Sequence, residues 1–233
     1  QKNEFLFLRT WDDARGDMAA YLGRENNGAG VKARYQWSGR DLARWTRHGE
    51  GTAGGVGSGS FAIASGGGSL LSAIYPSGIF SNELSDKDRG VAISPRIELE
   101  GDEEVWMRVR GSGNAVVRYS VQNYPRNGTV FPSTDLKSGK WRWIRHNLDY
   151  WKGDRIHLEL STARDQPILA KNDERSWFGI SRAVVTRKGR VNPADQEVAK
   201  MKKFLRESHR DGDTLTDFFN RLALEALQAW SRD

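Results

Sequence analysis

The chain has 233 residues, a formal net charge of +6 and no cysteine. This length can bury the core of one large domain, or of one domain with an appendage. The absence of cysteine excludes a disulfide framework and a cysteine-based zinc site. Hydrophobic residues make up 37% and charged residues 28%, which is typical of a globular protein, and no apolar run approaches the roughly 18 residues that span a bilayer.

The positive net charge has two interpretations. It can reflect an ordinary solvated surface, or it can attract an anionic partner such as an acidic polysaccharide, a nucleic acid or a membrane. The basic residues are interleaved with Asp and Glu, and no run of five Lys or Arg occurs. This pattern argues against a nucleic-acid-binding arm, and we expect neither a nucleic acid nor a membrane as partner.

The first third of the chain is mixed in character. Asn26–Gly30 is predicted to be a loop, and Val31–Trp37 is a candidate first strand. Residues 49–69 are rich in Gly and Ser around Phe61–Ala64. This stretch is either a flexible linker or a pair of tight turns around a buried strand, and the apolar residues that follow in Leu70–Tyr75 favour the turns.

Residues 70–186 are predicted to be all-β. Val105–Arg110 and Ile156–Leu160 alternate apolar with polar residues, which indicates strands with one buried face. Many short strands separated by turns are typical of a sandwich. The predicted strands are Ser69–Tyr75, Gly90–Ile93, Arg96–Glu100, Glu104–Gly111, Ala115–Val121, Trp141–Asn147, Arg155–Leu160 and Trp177–Thr186.

The character changes after residue 190. Asn192-Pro193 is a helix-start signal, and two helices are predicted, over Ala194–Ser208 and from Thr214 to Trp230, the second with an apolar stripe. The fold class that follows is mostly β: a jelly-roll-type β-sandwich in residues 1–190 and a C-terminal two-helix tail in residues 191–233. The tail either packs on the sandwich or docks on a missing domain or a second copy.

Two stretches carry a resemblance to known proteins. Tyr75–Gly90 with Ser94-Pro95-Arg96, together with the closing Lys140–Val185, resembles the β-sandwich region of large exported planctomycete proteins that combine cytochrome-c-associated segments with domains of unknown function. Phe218-Phe219-Asn220-Arg221 is similar to the join with a neighbouring domain there. The resemblance covers most of residues 31–190 and implies a bacterial, exported parent (periplasmic or cell surface) that handles polysaccharide; the first residue, Gln1, also suggests a piece of a longer protein. The haem motif is absent, so no haem is implied.

More broadly, the chain resembles jelly-roll carbohydrate-binding modules. Many of these hold a structural calcium near the edge of the sandwich, with an acidic residue near the last strand. Here Ser181 and Arg182 stand where acids are common in that family. We therefore expect no cofactor, with a structural calcium as the doubtful alternative.

Aromatic and arginine residues are the candidate ligand contacts. Sugar rings stack on flat aromatic side chains, and the Arg fork suits carboxylate or sulfate. Four tryptophans are predicted to lie in the core: Trp106, Trp141, Trp143 and Trp177. Aromatic residues in loops, and the arginines near them in sequence, are the better candidates for ligand contact. The alternative for these arginines is an ordinary solvated surface position. The predicted ligand-binding residues are Tyr124, Arg126, Trp151, Tyr119, Arg118 and Arg145.

Catalytic patterns are weak. Glu103-Glu104 and Asp12-Asp13 could supply general acids or calcium ligands, but sequence adjacency does not hold two carboxylates across a cleft. His146 and His157 lie on strands predicted to be adjacent and could pair. No HExxH, Gly-x-Ser-x-Gly elbow or Walker A motif is present.

The resulting prediction is a non-catalytic carbohydrate-binding module, with an anionic polysaccharide favoured by the basic charge. One alternative is a structural or protein-interaction domain of a larger exported multidomain protein, whose partners are neighbouring domains. A weaker alternative is a polysaccharide hydrolase or lyase.

Overall fold

The structure is a computed structural model that describes residues 33–57, 60–63, 71–122, 133–166, 172–189, 192–193 and 195–196. The chain divides into two compact units. One consists of Gly28–Gly57 and Gly78–Val191 and holds the candidate site. Of the other, the structure describes mainly the antiparallel hairpin of β3 (Ser60–Ile63) and β4 (Leu71–Tyr75).

Two antiparallel sheets form the first unit. Sheet A consists of β1 (Tyr35–Ser38), β5 (Ile79–Phe80), β8 (Glu103–Ser112), β11 (Arg142–Asn147) and β13 (Trp177–Arg187). Sheet B consists of β2 (Thr46–His48), β6 (Val91–Ile93), β7 (Ile97–Glu98), β9 (Ala115–Val121), β10 (Ser133–Leu136) and β12 (Arg155–Ser161). The order in sheet A is β1-β13-β8-β11, with β5 also on β13, and in sheet B it is β10-β9-β12-β6-β2, with β7 also on β12.

Short 3-10 helices lie between several strands. Their bounds are Gly39–Arg44, Glu50–Thr52, Asp149–Trp151 and Ala163–Asp165. Among the described residues, no helix is long and apolar enough to cross a membrane.

The core lies between the two sheets and follows from the alternation along the strands. Val105, Met107 and Val109 of β8 are fully buried, as are Leu158 and Leu160 of β12. Each such side chain contributes roughly 1.5–3 kcal/mol on burial. The residues between them point to the outer face of each sheet, so the same alternation decides which side chains can meet a ligand.

The β8–β9 connection is a two-residue hairpin turn. Gly113 and Asn114 have φ of +64° and +58°, the left-handed pair that a type I′ turn requires. A Cβ on Gly113 would lie 2.2 Å from the Arg175 carbonyl oxygen. The turn therefore needs glycine for both its backbone angle and its space.

The predicted mostly-β sandwich is confirmed, and its main strands lie within two residues of the predicted bounds. The glycine-rich stretch does contain a strand, β3, as the turn interpretation expected. Three short strands, β2, β5 and β10, were not predicted. The predicted helical tail lies almost entirely outside the described residues, and the division at residue 190 stays a prediction.

Candidate functional site

A groove of about 320 Å³ opens where β9 ends and β12 begins. Its described lining is Arg96, Gln122, Gly153, Arg155 and Ile156. The strand register brings these residues together, because Ile156 pairs with Val121 on one side and with Ile97 on the other. The residues that flank those partners, Gln122 and Arg96, therefore stand on either side of the start of β12.

Backbone geometry fixes the walls of this groove. Gln122 has φ of +49°, and its N–H donates to the Arg155 carbonyl oxygen at 2.6 Å. Its side-chain amide donates to the Asp154 carboxylate. Gly153 has φ of +82°, and its N–H donates to the Leu99 carbonyl oxygen at 2.9 Å. The groove is thus built on hydrogen-bonded turns at the end of sheet B.

Two arginines line the groove, and the carboxylates of Glu98 and Asp154 lie beside two of its lining residues. The Arg155 side chain is 61% exposed and its Nε lies 3.3 Å from Glu98 Oε1, an exposed ion pair of the kind that contributes little. Arg96 is exposed and makes no hydrogen bond or ion pair within the described part of the chain. None of the described lining residues is acidic. The Arg96 guanidinium can therefore meet an anionic ligand, and Arg155 can do so in exchange for its weak, exposed pairing with Glu98.

A polar strip follows β9 and β12 along the outer face of sheet B. We define it as Arg118, Ser120, His157, Glu159 and Ser161, which alternate with core residues on the two strands. All but His157 are at most 7% exposed. Arg118 Nε, Ser120 Oγ and Ser161 Oγ are buried and find no hydrogen-bond partner among the described residues. The strip is closed to the surface in this structure, unlike the groove.

An ion pair holds the centre of the polar strip. Arg118 Nη2 donates to Glu159 Oε1, and His157 Nε2 lies 3.8 Å from the other carboxylate oxygen. Burial by itself would raise the pKa of Glu159, but the His157 imidazole and the Arg118 guanidinium together bring that pKa below its ordinary value. Glu159 is therefore an anion at neutral pH and holds Arg118 in place.

Two of the predicted ligand residues meet in the interior of the sandwich. Tyr119 is 3% exposed and part of the core, and burial raises its pKa. Its hydroxyl accepts the Trp151 Nε1–H bond at 3.0 Å, and Trp151 is half-buried against the core. Tyr119 and Trp151 thus anchor the turn before β12.

The remaining predicted residues are dispersed. Arg118 lies in the buried pair described above. Arg145 is on sheet A, where its Nε donates to Glu104 Oε2 at 2.7 Å and its guanidinium lies 5.6 Å from the centre of the Trp106 ring. Tyr124 and Arg126 fall in residues 123–132, outside the described residues. None of the four that are described lines the groove.

The prediction that Trp106, Trp141, Trp143 and Trp177 are core is wrong. All four are half-buried and lie outside the apolar core, whose tryptophans are Trp37 and Trp45. Arginine side chains cover two of them: Arg108 lies 4.6 Å from the centre of the Trp141 ring, and Arg110 lies 5.0 Å from that of Trp177. The alternation of β8 explains this for Trp106, since Val105 and Met107 take the inward positions.

The catalytic and metal-binding candidates are not assembled into a site. His146 is in sheet A and His157 in sheet B, so the predicted pairing across adjacent strands is wrong. Glu103 accepts hydrogen bonds from Arg34 and two backbone N–H groups, and Glu104 from Trp106 and Arg145. No group of three potential metal ligands occurs among the described residues, and Asp12-Asp13 lies outside them.

The last strand bears on the calcium expectation. Ser181 and Arg182 on β13 are 0% and 4% exposed, and Arg108 Nη1 donates to Ser181 Oγ at 3.2 Å. Calcium requires a shell of oxygen ligands, most of them carboxylate or carbonyl. Two guanidinium groups beside a single hydroxyl are a poor fit to that cation.

Sequence reasoning missed the residues that form the groove and its surroundings. Arg96 and Arg155 each stand at the start of a predicted strand, where a side chain reaches the end of a sheet, and this position was the available signal. Tyr150 was passed over in favour of its neighbour Trp151. The structure exposes 85% of Tyr150 and half-buries Trp151.

No protein-family model matches the chain, and no curated protein matches it. Among solved structures, the chain is similar to TmCBM61 in complex with β-1,4-galactotriose, with 13% identity, a TM-score of 0.36, and coverage of 63% of this chain and 90% of that one. A family 6 carbohydrate-binding module has 11% identity, a TM-score of 0.34 and coverage of 67% and 95%. A family 35 module from Clostridium thermocellum has 14% identity, a TM-score of 0.33 and coverage of 65% and 95%. At these values the similarity assigns no residue and no ligand to this chain.

Proposed function

We propose that this chain is a non-catalytic carbohydrate-binding module for an anionic polysaccharide, which it binds at the groove between β9 and β12. The observation that carries the proposal is the lining of this groove: two exposed arginines and a glutamine amide, with no acidic residue among the described lining. Arg96 has no protein partner in the described part of the chain, so its guanidinium is available to a ligand.

The proposed contacts follow from the chemistry of each lining residue. A planar guanidinium forms paired hydrogen bonds with a carboxylate or sulfate group, which suits Arg96 and Arg155. The Gln122 amide donates one hydrogen bond to Asp154 and keeps its second N–H and its carbonyl oxygen for sugar hydroxyls. Gly153 has no side chain, and nothing lies within 4 Å of the Cβ position there, so a sugar ring can approach the backbone. We further propose that the parent protein is exported, on the sequence resemblance alone, and that binding needs no calcium.

The first prediction concerns the charge dependence of glycan binding. Affinity electrophoresis should retard the protein in gels that contain polygalacturonate, alginate or dextran sulfate more than in gels that contain neutral galactan. The retardation should fall between low salt and about 1 M salt, where screening acts over about 3 Å. Arg96→Ala and Arg155→Ala should each weaken binding about fivefold at low salt, the factor that about 1 kcal/mol gives.

Controls separate this from a general charge effect. Arg44→Ala removes an exposed arginine from the 3-10 helix Gly39–Arg44 and should bind like the parent. A chelator should not change the retardation, because the proposed contacts use no metal ion. No retardation by any of the polysaccharides would reject the binding module and favour the scaffold alternative. Equal weakening in Arg44→Ala would show diffuse attraction rather than a site.

A further inference from the structure

Tyr150 is an exposed aromatic ring that lies outside the apolar core of the sandwich. Its side chain is 85% exposed, and among the described residues the other large hydrophobic side chain that is exposed is Leu84, at 70%. Tyr150 lies on the 3-10 helix Asp149–Trp151, which connects β11 to β12. Removal of the Tyr150 ring therefore takes no side chain out of the apolar core, so packing of the core does not explain an aromatic residue at this position.

The ring is exposed but held in place. Tyr150 packs edge-to-face on Trp151, with ring centroids 4.8 Å apart and an interplanar angle of 86°. Trp151 is fixed in turn by its hydrogen bond to the Tyr119 hydroxyl and by the core. On the other side, Asp149 accepts a hydrogen bond from Lys188 Nζ at 2.7 Å. A ring fixed in this way loses little conformational entropy when something binds on it.

The backbone of Tyr150 is also close to the groove. Gly153 lines the groove and follows Tyr150 by three residues, a stretch of chain that spans at most about 11 Å between Cα atoms. The turn is tighter than that limit, because Asp154 N–H donates to the Trp151 carbonyl oxygen at 2.9 Å. A polymer that enters the groove can therefore reach Tyr150 with its next residues.

We propose that Tyr150 is a stacking platform for the apolar face of a pyranose ring, in the same glycan whose acidic groups bind in the groove. This inference rests on the proposed function and adds a second subsite of different chemistry. A flat aromatic ring offers a large apolar contact to the C–H face of a sugar, and this contact does not depend on charge. The site would then recognise both the acidic groups of the polymer and the pyranose ring next to an acidic group.

The salt dependence of binding distinguishes the two subsites. The groove arginines act through charge, so their contribution falls in salt. Stacking on Tyr150 is insensitive to screening. Tyr150→Ala should therefore weaken the binding of polygalacturonate about tenfold, which corresponds to about 1.4 kcal/mol, by the same factor at low salt and at about 1 M salt.

Three variants complete the test, which uses affinity electrophoresis of the full chain on polygalacturonate and alginate. Tyr150→Phe keeps the ring and should bind like the parent, while Leu84→Ala removes the other exposed apolar side chain and should also bind like the parent. Arg96→Ala should weaken binding in low salt only. Melting temperatures should match throughout, since both Tyr150 and Leu84 are exposed.

Each other outcome has a definite meaning. Parent-like binding by Tyr150→Ala, or a loss in Tyr150→Phe as large as in Tyr150→Ala, would overturn the stacking platform and leave the groove intact. A loss of self-association without a loss of glycan binding would make Tyr150 a protein contact instead. If the parent chain binds neither acidic polysaccharide, the proposed function and the platform both fall.

Discussion

Arg118 and Glu159 form an ion pair that is almost completely removed from water. Their side chains are each 8% exposed, although both lie on the outer face of sheet B, where β9 and β12 place them directly opposite each other. Desolvation of such a pair is costly, and loss of one partner leaves the other as a buried charge. A stabilising role in the cross-strand contact is therefore a better account of Arg118 than contact with a ligand.

This account gives a second prediction. Arg118→Met should lower the free energy of unfolding by about 3 kcal/mol, because Glu159 would remain buried without its cation. Arg118→Met combined with Glu159→Met should recover most of that loss, since apolar replacement of a whole buried pair is often neutral. Urea unfolding of the three proteins at neutral pH measures both effects.

Glycan affinity provides the control for this pair. Affinity for polygalacturonate should be unchanged in the double variant, which keeps the sheet folded and the groove intact. Unaltered stability in Arg118→Met together with lost affinity would restore the sequence-based interpretation of Arg118 as a ligand residue.

At the scale of the element, the groove depends on how β9 ends. Gln122 follows the last residue of this strand, adopts a left-handed backbone and joins β12 through its N–H group. Tyr124 and Arg126 fall in the ten residues that follow Gln122 in the chain, outside the described residues. Their choice as ligand residues stays a prediction.

A third prediction tests that segment. Tyr124→Ala combined with Arg126→Ala should weaken polygalacturonate binding about tenfold, through the loss of an aromatic contact and a guanidinium. The melting temperature should change little, because both residues are predicted from the sequence to lie in a loop that contains Gly and Pro. Unchanged affinity in the double variant would remove this loop from the binding site.

Strands with strong apolar–polar alternation could be predicted from the sequence. The face of the sheet to which each side chain points was in some cases predicted wrongly. β9 has its predicted bounds, β8 is one residue longer than predicted at each end, and β12 is one residue longer at its C-terminal end, because apolar residues recur at every second position. β5 has two residues and β10 has four, which is too short for a period to show. Trp106 was misplaced because residue type suggested burial, whereas its position in β8 is in phase with Arg108 on the outer face.

The groove could not be predicted for a related reason. Arg96, Gln122 and Arg155 are separated by many residues in the chain, and they meet only because β7 and β9 both pair with β12. A single sequence shows each arginine as one of 36 basic residues. Which of them lacks an acidic partner depends on sheet register, and register is a property of the whole sandwich.

At the scale of the whole sandwich, a titratable side chain lies between the two sheets. His146 on β11 of sheet A is 7% exposed, and its ring meets Tyr119 of sheet B edge-to-face at a centroid distance of 5.5 Å. Its Nε2 atom is buried and has no hydrogen-bond partner in the described part of the chain. Burial lowers the pKa of His146 from 6.5 to about 4, so the folded sandwich requires the neutral imidazole.

The sign of the resulting pH dependence follows from that shift. The unfolded chain binds a proton at His146 below about pH 6.5, whereas the folded chain does so only near pH 4. The stability that the neutral ring contributes is complete above pH 6.5 and is lost progressively as the pH falls towards 4. The loss should reach about 2 kcal/mol at pH 5.

Urea unfolding between pH 7 and pH 5 tests this dependence. His146→Phe replaces the imidazole with an aromatic ring that cannot be protonated, so its free energy of unfolding should be nearly flat over this range. His48→Gln, on the exposed edge strand β2, should follow the parent chain. A parent-like slope in His146→Phe would place the acid sensitivity elsewhere. Glu159 would not account for a slope in this range, because its pKa is lowered and its stabilising contribution is lost only below its ordinary pKa. The pH at which stability begins to fall therefore separates a histidine buried between the sheets from a carboxylate on the outer face of one of them.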